Sequence, residues 1–393
     1  MTSMHVEREL RLPDDLRVAR SQSAPHLGPR ILFFSGGSAL NGISRQLKHY
    51  TFNSMHLITP FDSGGSSQVL RRAFDMPAVG DLRSRLMALA DESVLGQPDV
   101  YALFSYRLSK EAPQDKLRAE VARIITGNHP LISAIAKPMR QLIQSLLKSF
   151  ADEVPDAFDY RNASIGNLIL AGGYLSNGHA LEPVLFLMSK MVDVRGTVRA
   201  IVDENLQLGV DLADGRRIIS QRLISGKEAP PIDSPIVRCF LSDGESAMPS
   251  DLVPLPKRNR KLIEQADVIC YPPGSLYSSV VANLLPAGVG KSITGRRLPK
   301  VYLPSLGQDP EALGHDLADQ VSAIITPLRA DAGPDVAPRQ LMTHVLCDTT
   351  WSQSQCANVT KQHGIPCLRL PLGLADEPKY DPQKVARILV SLD

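Results

Sequence analysis

Short apolar runs that stop at glycine or serine recur along this chain, and stretches with helical spacing lie between them. RILFFS (30–35) ends at a glycine pair, as a parallel strand buried on both faces does. SALNGISRQLKHY follows with Leu40, Ile43 and Leu47 on one helical stripe, and MHLITPF (55–61) is a second strand. Strand, glycine turn, helix and strand make a βαβ unit. GDLRSRLMALAD (80–91) puts Leu82, Leu86 and Leu89 on one face of a further helix.

Residues 93–159 read as a helical insertion, a cap over a cleft, with Pro138 kinking a long helix inside LISAIAKPMRQLIQSLLKSF. NASIGNLILAGGYL and LEPVLFLMSKMV continue as helices. The period then changes. TVRAIVDENLQLGVDLADGRRIISQRLIS alternates, with turn residues at Asp203–Asn205 and Asp214–Gly215, and predicts a small antiparallel β meander. ADVICY, KVYLPS, THVLCD and IPCLRLP restore the parallel-strand pattern. The predicted fold is therefore α/β: a Rossmann-like three-layer core with a mainly parallel sheet, over 29–92 and 160–393. Residues 1–28 are polar and charged and read as a disordered N-terminal extension.

Composition narrows the function. A net charge of +2 gives no basic footprint for nucleic acid. No apolar stretch reaches the roughly 18 residues of a membrane span, and the N-terminus lacks a signal-peptide core. The five cysteines form no CxxC, so their spacing argues against a disulfide framework or a zinc site and for a reducing cytoplasm. The nine histidines give no HxxxH or HExxH.

Three glycine-serine loops follow predicted strands: Gly36, Gly37, Ser38 and Ala39; Ser63, Gly64, Gly65 and Ser66; Pro273, Gly274, Ser275, Leu276 and Tyr277. Loops at the carboxyl ends of parallel strands meet in one crevice, where amides at helix starts favour anions. One such loop is ordinary strand punctuation; three with serine clusters suggest a ligand with more than one phosphate. GGSALNG is not GxGxxG, and AGVGKS (287–292) lacks the first glycine of a Walker loop, with Leu285 in its place. Asp62 ends its strand in the crevice and either holds magnesium against phosphate oxygens or caps the next helix. Asp81, at a helix start, is likewise a cap or a ligand group. Arg71, Arg72, Arg83 and Arg85 are, singly, ordinary solvated or paired cations.

Jointly the motifs SGGSA (35–39), FDSGGSSQVLR (61–71), PAVGDLRSRLMALA (77–90), ASIGNLILAG (163–172) and PPGSLYSSVVANLL (272–285) are specific. In order and spacing the chain resembles the CofD/YvcK family, whose YvcK branch reads GGGTG, ADDGGSSGRLR, PPGDIRNCLVALA, SIGNL and GPGSLYTS. The resemblance spans about residues 30–390. Ser63 replaces the second Asp of that pattern, Ser38-Ala39 its Thr-Gly, Ala163 a frequent His and Pro272 a Gly, which marks a divergent subgroup.

The resemblance implies a nucleoside diphosphate-linked small molecule, of GDP or UDP type, as partner. In the transferase branch a phospholactyl-type group passes to the hydroxyl of a deazaflavin-like acceptor, with magnesium. A carboxylate in the region of Asp81 contacts that acceptor, so Asp81 and Asp62 are the catalytic candidates, and Asp62 the metal candidate. Arg71, Arg83 and Asn167 join the phosphate-binding set. In the YvcK branch the same cleft binds a UDP-sugar without turnover. A homodimer is compatible with either.

Overall fold

The computed structural model describes residues 9–93, 96–226 and 229–393. The chain forms β1 (Ile31–Ser35), β2 (Met55–Ile58) and β3 (Thr197–Ala200), then β4 (Gln207–Leu212), β5 (Arg217–Ile219) and β6 (Ile236–Ser242). It ends with β7 (Val268–Tyr271), β8 (Lys300–Tyr302), β9 (His344–Asp348) and β10 (Cys367–Leu370). Seven strands make one parallel sheet in the order β10-β9-β8-β7-β1-β2-β3. β5-β4-β6 form a separate antiparallel sheet. From β1 the chain winds outward first through β2 and β3, later through β7 to β10, so the order reverses between β1 and β7. Open α/β sheets bind ligands at that point, outside the carboxyl ends of the strands.

Helices α1 (Asp15–Ser23) and α2 (Asn41–Leu47) flank β1, and α3 (Gly65–Phe74) and α4 (Gly80–Leu89) follow β2. Next come α5 (Pro98–Ser105), α6 (Gln114–Ile125), α7 (Pro130–Ser133), α8 (Lys137–Glu153), α9 (Ile165–Ser176) and α10 (Leu181–Met191). After the small sheet begins there are α11 (Gln221–Ser225), α12 (Lys257–Gln265), α13 (Val289–Thr294) and α14 (Leu317–Ala332). The chain closes with α15 (Pro338–Leu341), α16 (Gln353–His363) and α17 (Pro382–Val390).

Alternation along β1 divides the core. Ile31 and Phe33 pack with α2 and α17, whereas Leu32 and Phe34 pack with α13, α14, α16 and the small sheet. A third apolar cluster joins α4 to α10, seated on Ile58 and on Val198 and Ala200 of the edge strand. Each such fully buried side chain contributes about 1.5–3 kcal/mol relative to exposure. Within this cluster α9 touches three neighbours at backbone distance. A Cβ added at Gly172 would stand 1.9 Å from the Leu146 carbonyl oxygen of α8. One at Gly166 would stand 2.6 Å from the Phe104 carbonyl oxygen of α5, and one at Gly173 2.5 Å from Val184 Cγ2 of α10.

Four expectations are corrected. Thr197–Ala200 is not part of a meander: it pairs parallel with β2 as the edge of the main sheet, and only β4, β5 and β6 are antiparallel. Gln221–Ser225, at the end of the alternating run, is helical. Pro138 does not kink a helix; it stands in the first turn of α8, where the missing N–H has no helical partner to lose. Finally, residues 9–28 are not a disordered extension. Asp14 caps α1 by accepting from the amides of Leu16 and Arg17. Asp15 pairs with Arg387, and the Asp14 amide donates to Ser391 Oγ, fastening α1 to α17. Residues 1–8 lie outside the described residues. Among the described residues no helix is long and apolar enough to cross a membrane.

Candidate functional site

The loop after β1 is held from below by a buried cation. Arg85 of α4 is fully buried and donates to the carbonyl oxygens of Gly36 (3.3 Å) and Gly37 (3.2 Å) and to Ser44 Oγ (2.5 Å). Burial lowers its pKa to about 9, so it keeps its charge at neutral pH beneath the loop. Gly36 is packed in: a Cβ there would meet Ser279 Oγ at 2.8 Å and Thr59 Oγ1 at 3.0 Å. Gly37 faces open space, and its Cβ would lie 3.6 Å from Asp81 Oδ1.

The loop after β2 is shaped by its own side chains. Asp62 Oδ1 accepts from the Gly64 amide at 3.0 Å, an Asx turn that leads into α3. Gly80 opens α4 against this turn; its Cβ would meet Ser67 Oγ at 2.4 Å and approach Asp62 Oδ2 to 3.5 Å. The N-cap position of α4 is Val79, so Asp81 is not the cap but the second residue of the helix. There a carboxylate gains about 0.3–1 kcal/mol from the helix dipole. Arg83 Nε donates to Asn167 Oδ1 (2.8 Å), and Asn167 Nδ2 donates to Ser66 Oγ (3.2 Å), tying α4, α9 and the second loop together. Burial lowers Arg83 to about 10, with Arg107 adding to the effect and Asp81 opposing it.

These groups line one cleft of 550 Å³. It gathers Gly37, Ser38, Asp62, Gly64, Gly65, Ser66, Asp81, Arg83 and Asn167, together with Ser278 and Ser279. Arg107, Lys110 and Arg222 also face it, so four cationic side chains meet two carboxylates. Sequence reasoning missed those three cations, which come from the loop after α5 and from α11. A larger cavity, of 680 Å³, lies between β6 and α14, lined by apolar groups such as Ile236, Phe240 and Met248. Of the residues assigned to the glycine loops it includes only Tyr277, and its charged groups are Arg238, His315, Asp319 and Asp331, without the surplus of cations that the smaller cleft has.

Several residues assigned from sequence do other work. Arg71 does not face the cleft: its guanidinium is spent on Asn205 Oδ1 and the carbonyl oxygens of Phe61, Asp62 and Leu206. Arg72 is exposed. Ser63 is buried; its hydroxyl accepts from the Arg222 amide (2.8 Å) and lies 3.1 Å from Ser220 Oγ, which staples α11 to the loop. The third loop reaches the first, since a Cβ at Gly274 would lie 3.9 Å from Ala39 Cβ. Yet the amides of Gly274, Leu276 and Tyr277 are already taken, the first by Ser305 Oγ. Asp309 accepts from Leu276 N at 2.7 Å, and Glu311 from Tyr277 N (3.0 Å), Ser278 N (2.7 Å) and Ser278 Oγ (2.5 Å). Tyr277 points to His315 in the larger cavity, and Gly274 and Leu276 line a neighbouring one of 580 Å³. Ser275 and Pro273 sit partly exposed at the turn. Likewise the amides of Gly288 and Lys291 in AGVGKS are capped by Asp331.

Glu311 is 0% exposed, so the Glu311→Ala substitution strands three buried donors. At about 1–3 kcal/mol each, stability should fall by about 3 kcal/mol or more, read from urea unfolding midpoints. An unchanged midpoint would contradict the assignment.

A family model described as 2-phospho-L-lactate transferase CofD matches residues 31–367. The chain belongs to the CofD family. This CofD-family chain is 30% identical over 297 residues to the gluconeogenesis factor of Bacillus subtilis, covering 75% of this chain and 74% of that one. It is 30% identical over 298 residues to a putative gluconeogenesis factor of a Nostoc species, covering 76% of this chain and 52% of that one. The crystal structure of a UPF0052 family member from Bacillus halodurans superposes with a TM-score of 0.65 at 23% identity. It covers 92% of this chain and 99% of that one, a likeness of fold.

Proposed function

We propose that the cleft binds a nucleoside diphosphate-linked small molecule, of GDP or UDP type, and transfers its phosphorus-containing group to an acceptor hydroxyl. The observation that carries this reading is the meeting of Asp81 and Asp62 with the glycine loops and four cations in one 550 Å³ cleft. A cleft with two carboxylates and no surplus of cations would repel a diphosphate. This one has the surplus, together with the loop amides and hydroxyls that accept phosphate oxygens.

In this reading Ser38, Gly64, Gly65 and Ser66 hold the diphosphate. Arg83, kept cationic and tied to Asn167, faces the charge that develops on the leaving phosphate. Asp81 takes the proton of the acceptor hydroxyl. The acceptor oxygen forms a bond to phosphorus, the bond from phosphorus to the bridging oxygen breaks, and a nucleoside monophosphate departs. Asp62 is the residue that would hold magnesium. Among the described residues no group of three carboxylate or histidine ligands gathers there. The ion would thus share its shell with phosphate oxygens, as magnesium ordinarily does, and would neutralise their charge.

A second reading, nucleotide-sugar binding without turnover, is favoured by Ser63. The residue that replaces a second carboxylate is spent on α11, and the named relatives are gluconeogenesis factors. One experiment separates the two. The protein is screened by thermal shift against GDP, UDP, UDP-sugars and a deazaflavin, and the hits are assayed for nucleoside monophosphate release from dinucleotide-type donors. A ligand at 100 times its Kd stabilises by about 2.7 kcal/mol. Acceptor-dependent release supports transfer, a shift with no release supports binding alone, and no shift with any nucleotide removes both.

A further inference from the structure

Cys347 in β9, Cys356 in α16 and Cys367 at the start of β10 bring their three sulfurs within 4.8 Å of one another. None is in a disulfide. Their spacing matches no finger pattern, so the cluster comes from α16 packing across the β9–β10 pair, and the sequence expectation of no zinc site rested on spacing alone. Among the described residues it is the one group of three or more His, Cys, Asp or Glu whose ligand atoms gather this closely.

We propose that Cys347, Cys356 and Cys367 hold one thiophilic d¹⁰ metal ion, zinc being the reference case. Thiolates select soft or borderline ions. Zinc–sulfur bonds of about 2.3 Å set tetrahedral sulfurs roughly 3.8 Å apart, a spacing this triangle reaches with small side-chain rotations. A disulfide would join two of the sulfurs and leave the third unused. Cys347 and Cys356 are buried, while Cys367 is partly exposed on the edge strand, which gives the ion an entry path and its fourth position a water.

Binding converts three thiols and one divalent ion into a tris-thiolate complex of charge −1 and releases three protons. Arg369 stands opposite Cys347 in the strand register, and its positive charge acts on Cys356, so it offsets that remaining charge. The site would fasten the edge strand β10 and α16 to β9. It lies apart from the glycine loops and does not depend on the transfer reading.

The test uses the full chain, reduced and stripped of metal, then titrated with Co²⁺ and Zn²⁺. Expected are one equivalent bound, an intense thiolate-to-cobalt charge-transfer band that zinc abolishes, and three thiols shielded from a thiol reagent by zinc. Cys367→Ser and Cys356→Ala should each weaken Co²⁺ binding by more than the roughly 10- to 100-fold typical of losing an outer-sphere partner. Cys239→Ser should leave binding unchanged. Circular dichroism of each variant reports folding, and the shielding measurement on the unmodified chain needs no variant. The site is refuted by absence of the charge-transfer band, by five equally reactive thiols in the presence of zinc, or by a band that persists in Cys367→Ser. A mass two daltons low after air exposure, with no metal uptake before it, would also refute it and identify a redox pair.

Discussion

Asp81→Asn is expected to lower group transfer about 10²- to 10⁴-fold, the usual contribution of a positioned general base. Asparagine keeps the shape of the side chain and loses its basicity and charge. Val79 and not Asp81 is at the cap position of α4, so the helix keeps its cap. The lost helix-dipole term costs about 0.3–1 kcal/mol, and the lost charge beside the buried Arg83 and Arg85 adds to it. Nucleotide binding should survive or strengthen, since a negative charge beside Gly37 is removed from a site for an anion. The measurements are initial rates with saturating donor and acceptor, a thermal-shift titration with nucleotide, and urea unfolding. Full activity would exclude Asp81 as base. Loss of nucleotide binding together with stability would make it a structural residue.

Gly37→Val should abolish nucleotide binding and leave the protein folded. Asp81 supplies the two atoms within 4 Å of a Cβ at Gly37, Oδ1 at 3.6 Å and Oδ2 at 3.8 Å, both ordinary contact distances. The new methyl groups would therefore enter the cleft and not the core, and hold a phosphate away from the loop amides. Gly36→Val is the contrast: its Cβ would strike Ser279 and Thr59, so folding itself should suffer. Isothermal titration with the best nucleotide of the thermal-shift screen reads the first effect, and unfolding midpoints read the second. Unchanged affinity in folded Gly37→Val protein would move the ligand out of this cleft.

The strands at the centre of the sheet were legible because β1, β2 and β7 are buried on both faces and so read as unbroken apolar runs. β3 was not. Thr197–Ala200 is a half-buried edge strand, and half-burial gives the same alternation as a hairpin, which does begin seven residues further on. The turn of the second glycine loop is local: Asp62 bonds Gly64 within it. The surroundings of the third are not. Whether an amide is free depends on what packs against it, and the partners here, Asp309 and Glu311, lie more than 30 residues downstream. Arg107, Lys110 and Arg222 were invisible for the same reason, since solvated cations and cleft cations look alike until the chain is folded. The meeting of Cys347, Cys356 and Cys367 is non-local too, and their spacing shows no CxxC.

Helices that meet through layers of interlocked side chains can slide past one another a little at low cost. α9 adds to such a layer three places with less room to slide: at Gly166 and Gly172 the carbonyl oxygens of α5 and α8 bear on its backbone, and at Gly173 Val184 of α10 does. Under load these helices move as one block. Asn167 near the start of α9, and Arg107 and Lys110 just beyond α5, ride on that block, whereas Gly37, Asp62 and Gly64 are fixed to the sheet. A ligand gripped from both sides would sit like stock in a vise, with one stiff jaw and one fixed bed. The chain enters and leaves the block at the Ala90–Val194 bridge, with the Asp91–Arg195 ion pair beside it, so a change in hydrogen exchange there on ligand addition would report any travel.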